Sequence, residues 1–587
     1  MLCRLSICGS LVASYDIYKR GMTRTNMNAH GLAQDLSVAK QLGIEDLEEV
    51  AQAGFRAVIC NRPDGEGGDQ PSFSEIDAAA RKAGLEARYL PVVSGNVTGA
   101  DAVAFGQMLA ALPKPILAYC RTGTRSATLW ALSEGARGRP LPDVLAATNA
   151  AGFDLSAVVR RIVAGGRIPT DSSALFHSVV IVGGGAGGIA VAASLKARKP
   201  DLDVALIDPA DIHYYQPGWT MVGGGIFAPA DTARTMGSLI PDGVRWIKAA
   251  VAAFEPESKS VVLEGSRVVR YDRLIVAPGL KLDWAGIEGL AETLGQNGVT
   301  SNYRYDLAPY TWELVQNLHS GRAVFTQPPM PIKCAGAPQK AMYLSADHWL
   351  REGRLGSIGI EFYNAGSVLF GVKEYVPPLM DYVNRYGARL NFDRTLIRID
   401  GPARRAWFSR KTEDGGSEAV ETGFDMIHVV PPQQAPDFVR VSPLADANGW
   451  IEVDPASLRH KRFPEIYALG DACNAPNAKT AAAARKQAPV VAHNLLVEMG
   501  HLRGVEVAYD GYGSCPLTVE RGKILLAEFG YGGKLMPSFP KWLIDGTKPS
   551  HLAWLLKERM LPPIYWKAML KGREWMAKPH AADRSVA

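Results

Sequence analysis

The sequence predicts an α/β protein of several domains, and three observations carry that expectation. An apolar strand-like run, HSVVIV (177–182), leads into Gly183-x-Gly185-x-x-Gly188 and then a small-residue helix. Upstream, residues 33–145 alternate strand-like RAVICN (56–61), YLPVV (89–93) and PILAYC (115–120) with Ala-rich helical stretches such as SEIDAAARKAGLEA (74–87). Downstream, the last eighty-odd residues turn rich in Trp, Pro, Met and Lys. A length of 587 residues fits three or four domains at roughly 100–200 residues each.

Composition bounds the function. Hydrophobic residues make up 47% and charged residues 21%, which excludes disorder and fibrous repeats. The net charge of +5 is too small to imply a nucleic-acid partner. The seven cysteines, at 3, 8, 60, 120, 334, 473 and 515, are sparse and odd in number. That argues against a disulfide scaffold and for reactive thiols in a reducing compartment. The first twenty residues weakly imitate an export signal. A disordered leader, or a start placed upstream of Met22 or Met27, explains them better. Residues 174–195 contain no Asp, Glu, Lys or Arg, which a hydropathy scan would flag as a membrane span. Five glycines in the six positions 183–188 point instead to a buried strand, a turn and a buried helix.

In the glycine turn, Gly183 makes the tight bend, Gly185 lets a pyrophosphate approach the backbone, and Gly188 lets helix pack on strand; Ala186 and Gly187 complete it. The helix N-terminus offers free N–H groups to the phosphates. Strand DVALID ends at Asp208, twenty residues beyond Gly188, where a carboxylate accepts hydrogen bonds from a ribose. Two later strands, YDRLIVAPG ending at Gly279 and IYALGD ending at Asp471, complete a three-part set. The set resembles the two-dinucleotide-domain, glutathione-reductase-like flavoproteins. That resemblance implies two Rossmann-like domains, FAD as cofactor, and Asp471 at the ribityl chain. On the residues alone, Asp471 can equally cap the following helix. Residues 356–375 lack a second Gly-x-Gly-x-x-Gly, so an electron donor other than NAD(P)H is expected.

Cys334 lies in KCAGAPQK (333–340) and Cys515 in YGSCPLT (512–518), both in small-residue segments punctuated by Gly and Pro. With HYYQPGWTMVGGG (213–225) and GDACNAPNAKTAAAA (470–484), these look like the mitochondrial-type sulfide:quinone oxidoreductases over roughly 176–587, in the same chain order. The resemblance implies that Cys334 and Cys515 form a redox bridge beside the flavin, with the persulfide on Cys515 and Cys334 turned to the flavin. It also implies Gln216, Val251 and Lys479 as flavin neighbours and a structural role for Cys473. Its substrates would be sulfide, a quinone of ubiquinone type, and a thiol or sulfite acceptor such as glutathione. Hydrosulfide is a soft nucleophile that can open such a bridge by thiol–disulfide exchange. Lys333 and Lys340 flank Cys334 and can favour its thiolate, or can be ordinary solvated charge. An NADH:quinone dehydrogenase of the same fold is the alternative.

Residues 541–580 hold six Lys, two Arg and three acids, together with Trp542, Trp554, Trp566 and Trp575. Pro562-Pro563 separates two helix-length pieces. In the second, Lys567, Lys571, Glu574 and Lys578 line one face, opposite Tyr565, Met569 and Met576. A basic, Trp-bearing amphipathic pair suits a membrane interface, where quinone resides. The expected placement is peripheral, at the cytoplasmic face of a bacterial inner membrane.

Strand PILAYC ends at Cys120, followed by Arg121, Thr122, Gly123, Thr124, Arg125 and Ser126. A Cys at a strand end, a turn of N–H groups and an Arg make an anion nest that favours a thiolate. Tyrosine phosphatases space Cys and Arg by five residues. The four here resemble the rhodanese sulfurtransferases, whose tighter cradle suits a sulfur atom. With NRPDGEGGDQPS (61–72) and CRTGTRSATLWAL (120–132), residues 33–145 look like the bacterial beta-lactamase-hydrolase-like protein family, first named phosphatase-like. A sulfurtransferase at Cys120, with Arg121 and Arg125 orienting anionic donors, is expected; a phosphatase is the alternative. Fusion would raise the local concentration of such an acceptor beside a source of sulfane sulfur. The expected organisation is this domain at 33–145, a linker at 146–172, an FAD domain at 173–286 and 445–500, a degenerate nucleotide-type domain with Cys334 at 287–444, and a C-terminal region at 501–587.

Overall fold

The computed structural model describes residues 29–581, apart from 67–69, 93–96, 98, 138, 140, 154, 156–174, 265–266 and 413–415. The expected leader up to residue 28, and most of the expected linker, lie outside the described residues. The chain forms two compact units, residues 29–155 and, apart from 264–267, residues 175–581.

The first unit is a five-stranded sheet of β1 (Ala29–Ala33), β2 (Leu36–Ala39), β3 (Ala57–Cys60), β4 (Glu86–Tyr89) and β5 (Ile116–Tyr119), in the order β1-β2-β5-β3-β4. Every pairing but β1–β2 is parallel. Val38, Ile59, Phe105 and Trp130 pack one core cluster, and Leu47, Val58, Ile76 and Leu117 another. The expected strand at 89–93 is corrected to Glu86–Tyr89. The preceding helix stops at Lys82 and Gly84 turns the chain at φ +78°, so the strand starts early, and Pro91 has no N–H to continue a ladder. Helix Leu141–Ala150 crosses the expected domain boundary at 145.

In the second unit, residues 175–198 form strand Leu175–Val182 and helix Ala186–Arg198, as the charge-free stretch predicts. That strand lies in a seven-stranded sheet between Val204–Ile207 and Val268–Val276, parallel to both, and Ile466–Ala468 joins beyond Val268–Val276. A second, all-parallel sheet contains Val299–Thr300, Met426–His428, Gly321–Gln327, Ile358–Asn364 and Arg389–Phe392. A C-terminal hairpin, Gly513–Glu520 with Lys523–Phe529, packs on helix Ala337–Arg351. Among the described residues no helix is long and apolar enough to cross a membrane.

The C-terminal region departs from expectation. Residues 551–567 run as helix His551–Leu555, a π turn at Leu556–Met560, and helix Leu561–Lys567. Pro562 and Pro563 sit in the first turn of the last helix, where a missing N–H breaks no bond, so they join the pieces rather than separate them. The helix carrying Lys567, Lys571, Glu574 and Lys578 does not form; a short 3₁₀ turn, Met569–Lys571, ends at Gly572 with φ +68°. Tyr565, Met569 and Leu570 belong to the main core, not to a free apolar face. Glu574 pairs with Arg198 of the glycine-turn helix, Nη2 to Oε2 at 2.7 Å. Trp554 is buried, Trp566 packs against the core, and Trp542 and Trp575 are exposed.

One buried bond ties this tail to the glycine turn. His213 sits with Nδ1 3.0 Å from the Gly184 carbonyl and Nε2 2.6 Å from the Tyr565 hydroxyl. The carbonyl can only accept, so Nδ1 carries the proton and Tyr565 donates to Nε2. Burial pushes His213 below its usual pKa and keeps it neutral. Replacing Tyr565 by Phe should leave that nitrogen unpaired and cost about 1–3 kcal/mol. Urea unfolding of the full chain would read this as a lower midpoint at unchanged slope.

Candidate functional site

The glycine turn, the strand ends and Cys334 meet at one cavity of about 530 Å³. Gly185, Ala186 and Gly187 line it, and so do Asp208 and Gly279 from the ends of neighbouring strands. Gln216, Cys334 and Asp471 line it further along. Gly183 and Gly188 lie behind the wall and shape it. Gly183 has φ +103°, and a Cβ there would come 2.4 Å from the Ala277 carbonyl oxygen; a Cβ on Gly188 would come 1.8 Å from the Gly183 carbonyl oxygen. The Asp208 carboxylate accepts from Gly184 N–H at 2.6 Å and Ala210 N–H at 2.8 Å, which fixes it at the cavity's edge.

Two expected flavin neighbours, Val251 and Lys479, are not among the residues that line the cavity. Val251 begins the buried strand Val251–Glu255, opposite Leu263, and is not on the cavity wall. Lys479 is also off the wall. Its ammonium donates to the carbonyls of Asp471 at 2.7 Å and Cys473 at 2.9 Å and lies 4.1 Å over the Trp450 ring. Its own carbonyl accepts from Cys334 N–H at 2.9 Å, so Lys479 ties the Cys334 segment to the Gly470–Asp471 turn. Cys473 is buried, with its thiol 3.4 Å from the Gly470 carbonyl, and burial raises its pKa.

Cys334 and Cys515 are 181 positions apart in sequence and 3.3 Å apart sulfur to sulfur. Cys334 precedes helix Ala337–Arg351 in a left-handed conformation, φ +52°, which is strained for a residue with a Cβ. The Tyr303 hydroxyl holds it there through the Lys333 carbonyl at 2.8 Å and the Cys334 carbonyl at 3.3 Å. Cys515 lies on the C-terminal hairpin, facing Leu517 and that same helix, and is not on the cavity wall; Ser514 and Pro516 are. The approach of the sulfurs requires glycine at 336, where a Cβ would stand 2.7 Å from Cys515 Sγ.

The two thiols are electrostatically unequal. The hydrogen bond from Cys515, then the Lys340 ammonium 3.2 Å from its sulfur, hold Cys334 well below the usual thiol range. Cys515, donating that bond in a buried site, is pushed well up. Lys340 is buried, not solvated. Burial alone would push its pKa down, but the two sulfurs outweigh it and raise it. Lys333 reaches Gln216 Oε1. Sequence reasoning missed Lys557, which comes from the π turn and lies buried at the cavity; burial and then Lys340 push it down to about 7. No pattern in the surrounding LKERM marks it, because the fold and not the local sequence buries it; the structure sets it in a π turn, a geometry frequent at functional sites.

In the N-terminal unit, Cys120 follows β5 and is buried. Gly123, φ +85°, caps helix Thr124–Ala136, and Thr122 and Thr124 join through their hydroxyls at 3.1 Å. Arg121 is exposed. Arg125 is buried and paired with Glu66, a residue the sequence reading did not single out.

The chain aligns with the mitochondrial sulfide:quinone oxidoreductase of Dictyostelium discoideum at 41% identity, over 68% of this chain and 87% of that protein. The Mus musculus protein of the same name is 36% identical over the same shares. The chain belongs to the sulfide:quinone oxidoreductase family. A pyridine nucleotide-disulphide oxidoreductase model matches residues 177–315, and a beta-lactamase hydrolase-like protein, phosphatase-like domain model matches residues 29–137. The fold of the solved sulfide:quinone oxidoreductase from Aquifex aeolicus covers 68% of this chain and 92% of its own, at TM-score 0.56 and 19% identity. As in that family, the cofactor is FAD. The residues fit it. The turn leaves no room for a side chain at 183 or 188, and Trp219 Nε1, Thr220 Oγ1 and the Asn302 amide line the cavity as buried polar atoms without partners among the described residues.

These comparisons correct the expected placement at a bacterial inner membrane, because the relatives matched over 68% of the chain are mitochondrial proteins of eukaryotes. Basic and Trp residues report a bilayer–water interface and carry no information about which membrane.

The asymmetry of the thiols predicts a pH signature. In reduced protein, alkylation of Cys334 by iodoacetamide should continue well below the usual thiol range. Lys340→Met should move its midpoint up by about one unit or more. Lys557 is charged below about pH 7 and neutral above it, so its support for the thiolate fades as pH rises. Lys557→Met should remove that inflection. Identical profiles in all three proteins would contradict the assignment.

Proposed function

We propose that the flavoprotein half oxidises sulfide to sulfane sulfur through Cys334 and Cys515 and passes two electrons to a ubiquinone-type quinone, while the N-terminal domain moves sulfane sulfur on Cys120. The observation that carries this reading is the cysteine pair, 3.3 Å apart, with one sulfur on the wall of the cavity that fits FAD. The starting state is the oxidised pair. Hydrosulfide attacks the Cys515 sulfur, the bridge breaks, and Cys334 leaves with the electron pair. The lower-pKa thiol leaves faster, which favours Cys334 as leaving group and the persulfide on Cys515. Lys340 and Lys557 hold the departing thiolate. A thiol or sulfite acceptor then takes the outer sulfur and frees the Cys515 thiolate. FAD held by Gly185, Ala186, Gly187, Asp208, Gly279 and Asp471 would supply the two-electron acceptor that re-forming the bridge needs, with the quinone as the final oxidant.

An apolar wing of the cavity suits a quinone ring. Pro516 and Leu526 come from the hairpin, Phe539 from the loop after it, and Leu561 and Ile564 from the last helix. Exposed Trp542, Leu543, Leu552, Leu555 and Met560 lie in the same C-terminal region as Lys541 and Lys548, a composition that favours peripheral association with a bilayer. In the N-terminal domain, the short Cys120–Arg125 loop favours sulfur transfer, and the buried Cys120 sulfur would be the carrier.

Cys334→Ser and Cys515→Ser should each abolish sulfide-dependent quinone reduction yet retain FAD, whereas Cys473→Ser should stay close to wild type. Cys120→Ser should lose transfer of sulfur from a persulfide to cyanide and keep flavin reduction by sulfide. Anaerobic titration with sulfide, following flavin absorbance with and without quinone, checks the first set. A dead Cys473→Ser enzyme beside an active Cys515→Ser one would defeat the pairing.

A further inference from the structure

The hairpin face that carries the apolar wing also carries one buried carboxylate outside the sulfur chemistry. Glu528 lies in strand Lys523–Phe529, directly across from Ser514 and two residues beyond Leu526, and it lines the cavity with Ser514, Pro516 and Leu526. It is 4% exposed. Its Oε1 accepts from the Tyr512 hydroxyl and from the Ser538 hydroxyl, each at 2.5 Å, and its Oε2 accepts from the Ser538 N–H at 3.0 Å. Tyr512 and Ser538 line the cavity too, and Phe539 of the wing follows Ser538 directly. Among the described residues Glu528 has no ion-pair partner; Lys486, from helix Ala481–Glu498, reaches the Tyr512 ring instead, 5.3 Å from its centre.

Three donors around one carboxyl group, and no cation, suit a group that gives up a proton and takes it back. Hydrogen bonds to an ionised oxygen are strong, so the donors hold the form left after the proton departs. A salt-bridged carboxylate would be locked in its charged form. A carboxylate facing an apolar ring that excludes water is costly unless it takes up a proton. Ser538 is half-buried, on the loop after the hairpin, so its hydroxyl links Glu528 to the surface. Burial and then Glu528 push Tyr512 up, so it stays a neutral donor and is not itself the acid.

We propose that Glu528 is the proton donor to the quinone, a further catalytic residue for the step that oxidises the flavin again. The inference rests on the reading of the apolar wing as the quinone site. Reduction of a quinone to a quinol takes two electrons and two protons. The electron pair and one proton are those that sulfide oxidation supplies. The second proton comes from Glu528. Its carboxyl O–H bond breaks, an O–H bond forms on a quinone oxygen, and the carboxylate left behind accepts from Tyr512 and Ser538. Solvent returns the proton past Ser538.

The test uses the full-length flavoprotein, reduced with sulfide and then mixed with a short-chain ubiquinone or with ferricyanide, which takes electrons and no protons. Flavin absorbance follows each step. In the parent protein, heavy water should slow reoxidation by the quinone more than reoxidation by ferricyanide. An equal effect overturns the inference whether or not any variant folds. Glu528→Gln should slow reoxidation at saturating quinone about tenfold or more, while reduction by sulfide and reoxidation by ferricyanide stay near the parent. Glu528→Asp, which restores an acid, should recover part of the rate. A loss shared by both oxidants, or one confined to the quinone KM, marks a structural role and overturns the inference, and so does an unchanged rate. Leu526→Trp fills the wing and should raise the quinone KM. If it does so while Glu528→Gln keeps the parent rate, only the proton assignment falls. If Leu526→Trp leaves the KM unchanged, the wing reading falls and this inference with it.

Discussion

The second unit is organised around the demand that two sulfurs 181 residues apart come within 3.3 Å. That demand fixes the C-terminal hairpin against helix Ala337–Arg351, because Cys515 and Leu517 must lie on the face that meets it. It leaves no side chain at 336, and it places Cys334 in a left-handed conformation that only surrounding bonds sustain. Those bonds come from elements distant in sequence. Tyr303 holds the carbonyls of 333 and 334, and the Lys479 carbonyl holds the Cys334 N–H. Because Lys479 also caps the Asp471 and Cys473 carbonyls, Cys334 and the Gly470–Asp471 turn on the cavity wall are positioned by one residue.

Packing alone would leave this centre poorly stable, since a buried cation without an anion costs several kcal/mol. Lys340 and Lys557 are both buried beside the sulfurs, and they respond differently. Lys340 touches Cys334 and keeps its proton; Lys557, farther from the anion and repelled by Lys340, sits poised near neutrality. The thiolate and Lys340 thus need each other: the ammonium makes the anion tolerable, and the anion makes the ammonium tolerable. The Cys515–Cys334 hydrogen bond first and Lys340 second make two chemically identical thiols unequal, and on the function proposed above that inequality gives the exchange reaction its direction.

The sequence revealed what is written locally. The strand, glycine turn, helix and Asp208 fall within some thirty residues, so spacing sufficed to place them, and so did the strand ends at Gly279 and Asp471. The cysteine pair was legible only by likeness to a family, because no local rule links positions 334 and 515. Lys340 was ambiguous, since a lysine six residues from a cysteine reads the same whether buried or solvated. The tail was misread for a related reason. Lys567, Lys571 and Tyr565 at helical spacing suit a membrane-lying helix, yet Gly572 ends the turn and Tyr565 finds His213, a partner 352 positions away that no periodicity encodes. Arg125 shows the limit at closest range: its place in the loop was legible, but its ion-pair partner Glu66, fifty-nine positions earlier, was not.

The hairpin would let one small region serve the two reactions proposed above. Its strands pair Ser514 with Glu528, Cys515 with Ala527 and Pro516 with Leu526, and side chains alternate between faces. Cys515 and Ala527 therefore point into the core beside Cys334, while Ser514, Pro516, Leu526 and Glu528 line the cavity. A quinone is an electrophile toward thiolates and persulfides. On the function proposed above, a ribbon with its nucleophilic sulfur on one face and its apolar quinone wing on the other keeps the two reactants on opposite sides of a backbone. A shift of register by one residue would exchange the faces and put Cys515 into the wing. The cross-strand pairing of this hairpin therefore does more than hold the sulfurs together: it also sets what each of them can reach.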